Sequence, residues 1–125
     1  MYISGTDYLP PKYTEIPDLM KKFVSSIAEM KEHPVAIAAY LHERIATIHP
    51  FIDGNGRTAR LAMNLSLMQN GYPIAIIPPI LRNDYIASIR LANIGNTEPF
   101  FDFISHVEYE SAKDYLRLLH HFHGK

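Results

Sequence analysis

Apolar side chains recur at Val35, Ile37, Ala38, Leu41, Ile45 and Ile48, a rhythm of threes and fours that lays a broad apolar stripe along a helix over residues 34–48. Pro34 suits the first turn of that helix, where no amide donor is missed. A residue before proline is pushed out of the α region, so His49 is expected to end the helix and Pro50 to open a loop. Gly54 and Gly56 then let the backbone turn tightly around Asn55. The helical rhythm resumes at Leu61, Leu65 and Met68, with Ala62 beside them, and Asn70-Gly71 supplies a C-terminal stop. The pattern therefore predicts a helix, a glycine-rich loop and a second helix that begins near Gly56.

The same rhythm marks three further helices. Residues 16–30 open with Pro17 and repeat Met20, Phe23, Val24 and Ile27. Asn83 or Asp84 can cap a helix carrying Tyr85, Ile86, Ile89 and Ala92. Thr97, followed by Glu98 and Pro99, starts a long last helix through Phe103, Ile104, Val107, Tyr115, Leu116 and Leu119. Residues 72–79 are apolar and studded with prolines, which reads as a buried connector rather than a paired strand. The chain contains no internal repeat and no low-complexity stretch, and the expected class is all-α.

Composition narrows the picture without redirecting it. A chain of 125 residues with 47% hydrophobic residues suits one domain with one core. A net charge of -1 leaves no electrostatic footprint for nucleic acid. There is no long apolar run and no signal-peptide pattern at the start, so a soluble, cytoplasmic protein with no membrane partner is expected. The absence of cysteine excludes disulfides and thiol catalysis.

Chemistry concentrates in the run His49-Pro50-Phe51-Ile52-Asp53-Gly54-Asn55-Gly56-Arg57-Thr58-Ala59-Arg60. Arg57 and Arg60 fall in the first turn of the second helix, where the macrodipole disfavours cations by roughly 0.3–1 kcal/mol each. A bound phosphate chain reverses that sign, since free amides at the helix start and two arginines on one face would meet the same anion. Asp53 fits beside phosphates when a divalent metal joins the two, and magnesium is the natural choice. His49, with an imidazole that titrates near neutrality, can take the proton of an attacking hydroxyl. Together these parts imply phosphoryl or nucleotidyl transfer. A calcium loop is a poorer reading, because Arg57 stands where an oxygen ligand is needed. His120, His121 and His123 mimic a metal cluster, but without a carboxylate near a fraying terminus they are read as solvent-exposed, and Lys12, Lys21 and Lys22 as solubilising charges.

These twelve residues resemble the signature of the Fic family: histidine, any residue, phenylalanine, any residue, an acid, Gly-Asn-Gly-Arg, any two residues, then arginine. Every fixed position matches. The resemblance covers most of the chain. Residues 3–11, with Gly5, Tyr8 and Pro10-Pro11, are similar to the second half of the Fic flap, the edge hairpin that aligns the target. Residues 82–96 resemble the nucleoside-side helix with its Ala-Asn-x-Gly turn, and residues 100–104 the start of the last core helix.

The resemblance implies a single Fic core domain over residues 1–125, with a partial flap at 1–13 and a helical core at 14–125. It implies AMP transfer from ATP to a Ser, Thr or Tyr hydroxyl of a target protein, with pyrophosphate leaving. By the same match, His49 is the general base and Asp53 the ligand of Mg2+. Gly54, Asn55 and Gly56 cradle the α- and β-phosphates, Asn55 and Arg57 join His49 as catalytic groups, and Arg60 holds the γ-phosphate. Tyr85 and Asn93 fall on the nucleoside side, where Ile86 replaces a second aromatic of some relatives, and Phe51 is expected to point inward and anchor the loop. The Doc-like phosphotransferase branch carries lysine at the second glycine; Gly56 favours AMP transfer.

The family's inhibitory helix, a Ser or Thr followed four residues on by Glu and then Gly or Asn, finds only Ser25 to Glu29, where Met30 follows. That segment is read as a solvated face. Either a separate inhibitory segment or chain then supplies the brake on Arg60, or the chain is unregulated. The alternative reading is a truncated or regulatory module that binds ATP without efficient turnover.

Overall fold

In a computed structural model, residues 8–123 are described. They form five α-helices: α1 (Ile16–Glu29), α2 (Pro34–Ile48), α3 (Asn55–Gln69), α4 (Arg82–Asn93) and α5 (Glu98–His123), with a short 3-10 turn at Pro79–Leu81 leading into α4. No strand occurs among the described residues, as an all-α reading requires. None of these helices is long and apolar enough to cross a membrane. Most of the expected flap, residues 1–7, lies outside the described residues. Residues 8–11 are irregular, and the Tyr8 hydroxyl donates to the Thr47 carbonyl at 2.8 Å, which pins this segment to the end of α2.

Helix α2 runs through the middle and touches each of the other four helices. Its start is fixed locally: Pro34 occupies the first turn and the His33 ring nitrogen accepts from the Val35 amide at 3.1 Å. Ala38 and Ala39 are fully buried and let α3 approach closely through Ala59, Met63 and Leu67. One core joins Ala38, Ala39, Met63 and Leu67 to Ile89, Ala92, Phe100, Ile104 and Val107. A second, smaller core gathers Phe23, Ile45, Ile48 and Ala59 under α1. The expected α3 run of Leu61, Leu65 and Met68 turns out to lie on the exposed face, each about half accessible. Helix α3 carries two apolar faces, and the one with Ala59, Met63 and Leu67 takes the buried side against its neighbours.

Three details refine the expected boundaries. Helix α3 starts at Asn55 with Gly54 as its cap, and Gly71 follows its end at φ +81°. Helix α4 is not capped by Asn83 or Asp84, which fall inside its first turn; Leu81 holds the cap position, and the Arg82 amide bonds back to the Pro79 carbonyl. The 3-10 turn thus does the work that a capping side chain would do. The connector at 72–79 is unpaired as expected but not buried, since Ile74 and Ile76 are exposed and only Ala75 is enclosed; Asn64 holds it by accepting from the Ala75 amide at 2.8 Å and donating to the Ala75 carbonyl at 3.3 Å. Ser25 and Glu29 are exposed on α1, the solvated face foreseen for them, and His120 and His121 are exposed on α5.

One core group is out of balance. Glu108 on α5 is 4% exposed, and neither carboxylate oxygen finds a partner among the described residues. Burial pushes its carboxyl up from the usual 4.5 to about 7. The folded chain therefore holds a proton that the unfolded chain releases above pH 4.5, so stability falls as pH rises from about 4.5 to about 7 and then levels off. Glu108→Gln is expected to flatten that slope and raise the melting temperature by several degrees at pH 8 but little at pH 4.5. Thermal melts across this range check it, and a variant retaining the wild-type slope contradicts it.

Candidate active site

The connection between α2 and α3 is closed by one side chain. Asn55 is 5% exposed; its Oδ1 accepts from the Phe51 amide at 3.0 Å and its Nδ2 donates to the Phe51 carbonyl at 2.8 Å. Both ends of the carboxamide are spent on folding the loop, so Asn55 offers a ligand its backbone amide. The first helical bond of α3 runs from the Thr58 amide to the Gly54 carbonyl, which leaves the amides of Asn55, Gly56 and Arg57 without helical acceptors. Phe51 does not point inward as expected: its ring is 49% exposed, and the loop is anchored through the Phe51 backbone instead.

Two glycines keep the loop slender beside its arginines. Gly54 sits at φ +80°, where other residues are strained, and a Cβ there would stand 3.6 Å from the Arg57 guanidinium. A Cβ on Gly56 would meet the Arg60 guanidinium at 3.4 Å. Both arginines therefore fold back along the loop, next to the unpaired amides. Asp53 is exposed at the loop's outer edge, with one oxygen accepting from the Gly54 amide at 2.8 Å. No group of three or more His, Cys, Asp or Glu side chains gathers among the described residues, so a cation at Asp53 needs oxygens from its ligand as well. A single carboxylate beside a phosphate cradle is magnesium's ordinary habit.

His49 ends α2 in the left-handed region, φ 55° and ψ 58°, and is the one non-glycine residue with positive φ among those described. The proline that follows excludes the α region, as expected, but the backbone takes the left-handed well rather than the extended one. Its amide still reaches the Ile45 carbonyl at 2.9 Å, so the helix is finished with no loss of bonding. The ring is partly buried, and Nδ1 is enclosed without a hydrogen-bond partner among the described residues. Burial holds its pKa below the usual value, which keeps the imidazole neutral and able to accept a proton at pH 7.

These groups line one cavity of about 720 Å³, the size range of a nucleotide site. Its walls bring together His49, Asp53, Gly54, Asn55, Gly56, Arg57 and Arg60 from the loop with Tyr85 and Asn93 from α4. The cavity so contains every site residue expected from sequence. The last two make contacts that the sequence did not reveal. Asn93 donates to the Thr47 hydroxyl at 2.9 Å, and Thr47 donates to Glu43 Oε2 at 2.6 Å. Glu43, 1% exposed, also takes a two-pronged bond from Arg44 at 2.9 and 2.8 Å, and that bond raises the Arg44 pKa. Tyr85 hydrogen-bonds through its hydroxyl to the His42 ring at 2.8 Å. Sequence reasoning passed over His42, Glu43 and Thr47. Their signal was available: His42 lies four residues after Ala38 and three before Ile45, a polar residue in the middle of an apolar stripe.

Comparison with known proteins agrees with this geometry. The model of the Fic/DOC family matches residues 2–67. A protein of Drosophila persimilis named protein adenylyltransferase Fic is 44% identical over 108 residues, covering 84% of this chain and 21% of that protein. The chain thus spans about a fifth of such a relative. Among solved structures, a fragment of Fic-1 from C. elegans is 31% identical with a TM-score of 0.71, over 93% of this chain and 35% of that one. A Fic-domain signaling protein from Bacteroides thetaiotaomicron is 28% identical with a TM-score of 0.78, over 90% of this chain and 49% of its own.

The left-handed backbone at His49 carries a measurable cost, about 1 kcal/mol for any residue with a Cβ. His49→Gly is therefore expected to melt a few degrees above His49→Ala, since both lose the imidazole and only glycine relieves the strain. Equal melting temperatures for the two variants would contradict the strain.

Proposed function

The chain belongs to the Fic/DOC family, and from that premise we propose that it transfers AMP from ATP to a Ser, Thr or Tyr hydroxyl of a target protein, releasing pyrophosphate. The observation that carries this reading is the meeting, in one cavity, of a neutral histidine with an anion cradle built from free amides and two arginines. A cradle alone would suit a binding module. The base adds chemistry, and it is kept in a strained backbone conformation that binding would not require.

The chain's residues divide the work as follows. The amides of Asn55, Gly56 and Arg57 and the guanidinium of Arg57 receive the α- and β-phosphates, and Arg60 receives the γ-phosphate. His49 takes the proton of the target hydroxyl as its oxygen attacks the α-phosphorus. The bond from the α-phosphorus to the bridging oxygen breaks, and the charge that develops on pyrophosphate falls toward the two arginines. Asp53 would hold a magnesium ion, which when bound would supply neutralisation of the triphosphate charge. Gly56 supports adenylyl over phosphoryl transfer, since the Doc-like phosphotransferase branch that this motif resembles carries lysine at that position.

The test is transfer of label from α-labelled ATP to protein, with magnesium present, in a lysate and in the purified chain alone. Labelling is expected with the wild type and a loss of at least about 100-fold with His49→Ala, while ATP still binds the variant. Asp53→Ala is expected to weaken magnesium-dependent nucleotide binding as well as transfer. Full activity in His49→Ala contradicts the mechanism, and a wild type that binds ATP but never labels protein favours a regulatory nucleotide-binding module.

A further inference from the structure

His42 lies wholly inside the protein, 0% exposed, with its ring 5.1 Å from that of Phe100 and 5.5 Å from that of Tyr85. Nδ1 has no partner among the described residues. A phenylalanine would fill the same aromatic space without stranding a nitrogen, and a stranded buried polar atom costs roughly 1–3 kcal/mol. Stability therefore gives no reason for a histidine at this position. Its single hydrogen bond does: Nε2 meets the Tyr85 hydroxyl at 2.8 Å, and Tyr85 lines the nucleotide cavity beside Arg60.

Burial pushes the Tyr85 hydroxyl pKa up, and the Arg60 charge and N–H, acting from the same cavity wall, draw it partly back down. On the other side, burial and then the Arg60 charge hold the His42 pKa at about 3, so the imidazole stays neutral at working pH. Two proton arrangements satisfy the chain. Tyr85 donates to Nε2, or an Nε2–H donates to Tyr85 and frees the hydroxyl proton for the cavity; in both, the phenolic oxygen keeps a lone pair for an Arg60 N–H. Arg60 has no carboxylate partner among the described residues. The tyrosine is then a neutral anchor that orients the arginine without cancelling its charge.

We infer that His42 is a positioning residue for the triphosphate end of the nucleotide: it fixes the Tyr85 hydroxyl, and that hydroxyl fixes the Arg60 guanidinium where a γ-phosphate is received. The inference rests on the adenylyl-transfer reading only in taking a nucleoside triphosphate as the ligand. It gives Tyr85 a role at the phosphates in addition to its place on the nucleoside side. It also explains why α4 carries a tyrosine rather than a phenylalanine among Phe100 and Phe103, to which its ring lies 6.3 and 6.2 Å away.

The measurement is binding of magnesium ATP and magnesium ADP by calorimetry to the wild type and to His42→Phe, Tyr85→Phe and Arg60→Ala. The wild type is expected to prefer ATP, and Arg60→Ala to lose that preference. His42→Phe and Tyr85→Phe are each expected to reduce it by roughly three- to ten-fold, chiefly by weakening ATP. His42→Gln, whose amide can still bond the hydroxyl, is expected to recover most of it, and His42→Phe is expected to change nothing further in an Arg60→Ala background. A purely structural role would weaken ATP and ADP alike and would persist without Arg60. The proposal is overturned by that pattern, by Tyr85→Phe keeping the wild-type preference, or by a wild type that binds both nucleotides equally. Should His42→Phe fail to fold, Tyr85→Phe, which removes one oxygen, decides the matter. An absence of His49-dependent labelling alongside the expected binding pattern would sink the transfer reading and leave the relay standing.

Discussion

The turn between α2 and α3 depends on the Asn55 carboxamide clasping the Phe51 backbone, and the rest of the site depends on that turn. Two helices that pack side by side through Ala38, Ala39, Ala59 and Met63 leave little room for a connection. The clasp gathers the chain between them so that His49 and the free amides of α3 open onto the same cavity. Without it, the left-handed backbone at His49 and the positive φ at Gly54 would have nothing to hold them, since both lie in regions a free chain rarely visits. The geometry of the candidate site is loop geometry, enforced by two hydrogen bonds and the close packing on either side.

Helix α2 supplies the second constraint. It is buried on nearly all sides, so its polar residues cannot turn to solvent and must find partners among neighbours. Glu43 finds Arg44 and Thr47, Thr47 also receives Asn93, and His42 finds Tyr85. Each of these bonds ties α2 to itself or to α4, and α4 forms the far wall of the cavity. The cavity's depth is thereby fixed by groups that do not all face it.

Much of this was legible in the sequence. The limits of α2 could be read from Pro34 and from the residue before Pro50, and the start of α3 from Gly54 to Gly56, because these are local rules about backbone conformation. The loop residues could be read because anion binding at a helix start, cations against the dipole and a lone carboxylate make chemical sense within twelve consecutive positions. What escaped was decided by packing. The buried side of α3 went to Ala59, Met63 and Leu67, and no periodicity could say which of two apolar faces would win. Phe51 looked like an anchor by residue type, whereas the anchoring is done by its backbone. Nor could spacing pair His42 with Tyr85, 43 positions apart.

The misfits in the fold sort themselves by partner and place. Glu43 is buried yet fully bonded to Arg44 and Thr47 of its own helix, and Thr47 carries the link on to Asn93 of α4. Glu108 is buried and unbonded among the described residues, lies outside the cavity, and weighs only on stability. His42 and His49 each strand a nitrogen, and both sit behind or beside the nucleotide cavity. A stranded polar atom alone therefore does not mark function, as Glu108 demonstrates. What distinguishes the two histidines is direction: one opens onto the cavity itself, and the other makes its only hydrogen bond to a residue that does. Selection for stability would replace both rings with hydrocarbon, and the proposed adenylyl transfer, which needs a proton moved and an arginine held, gives reasons to keep them.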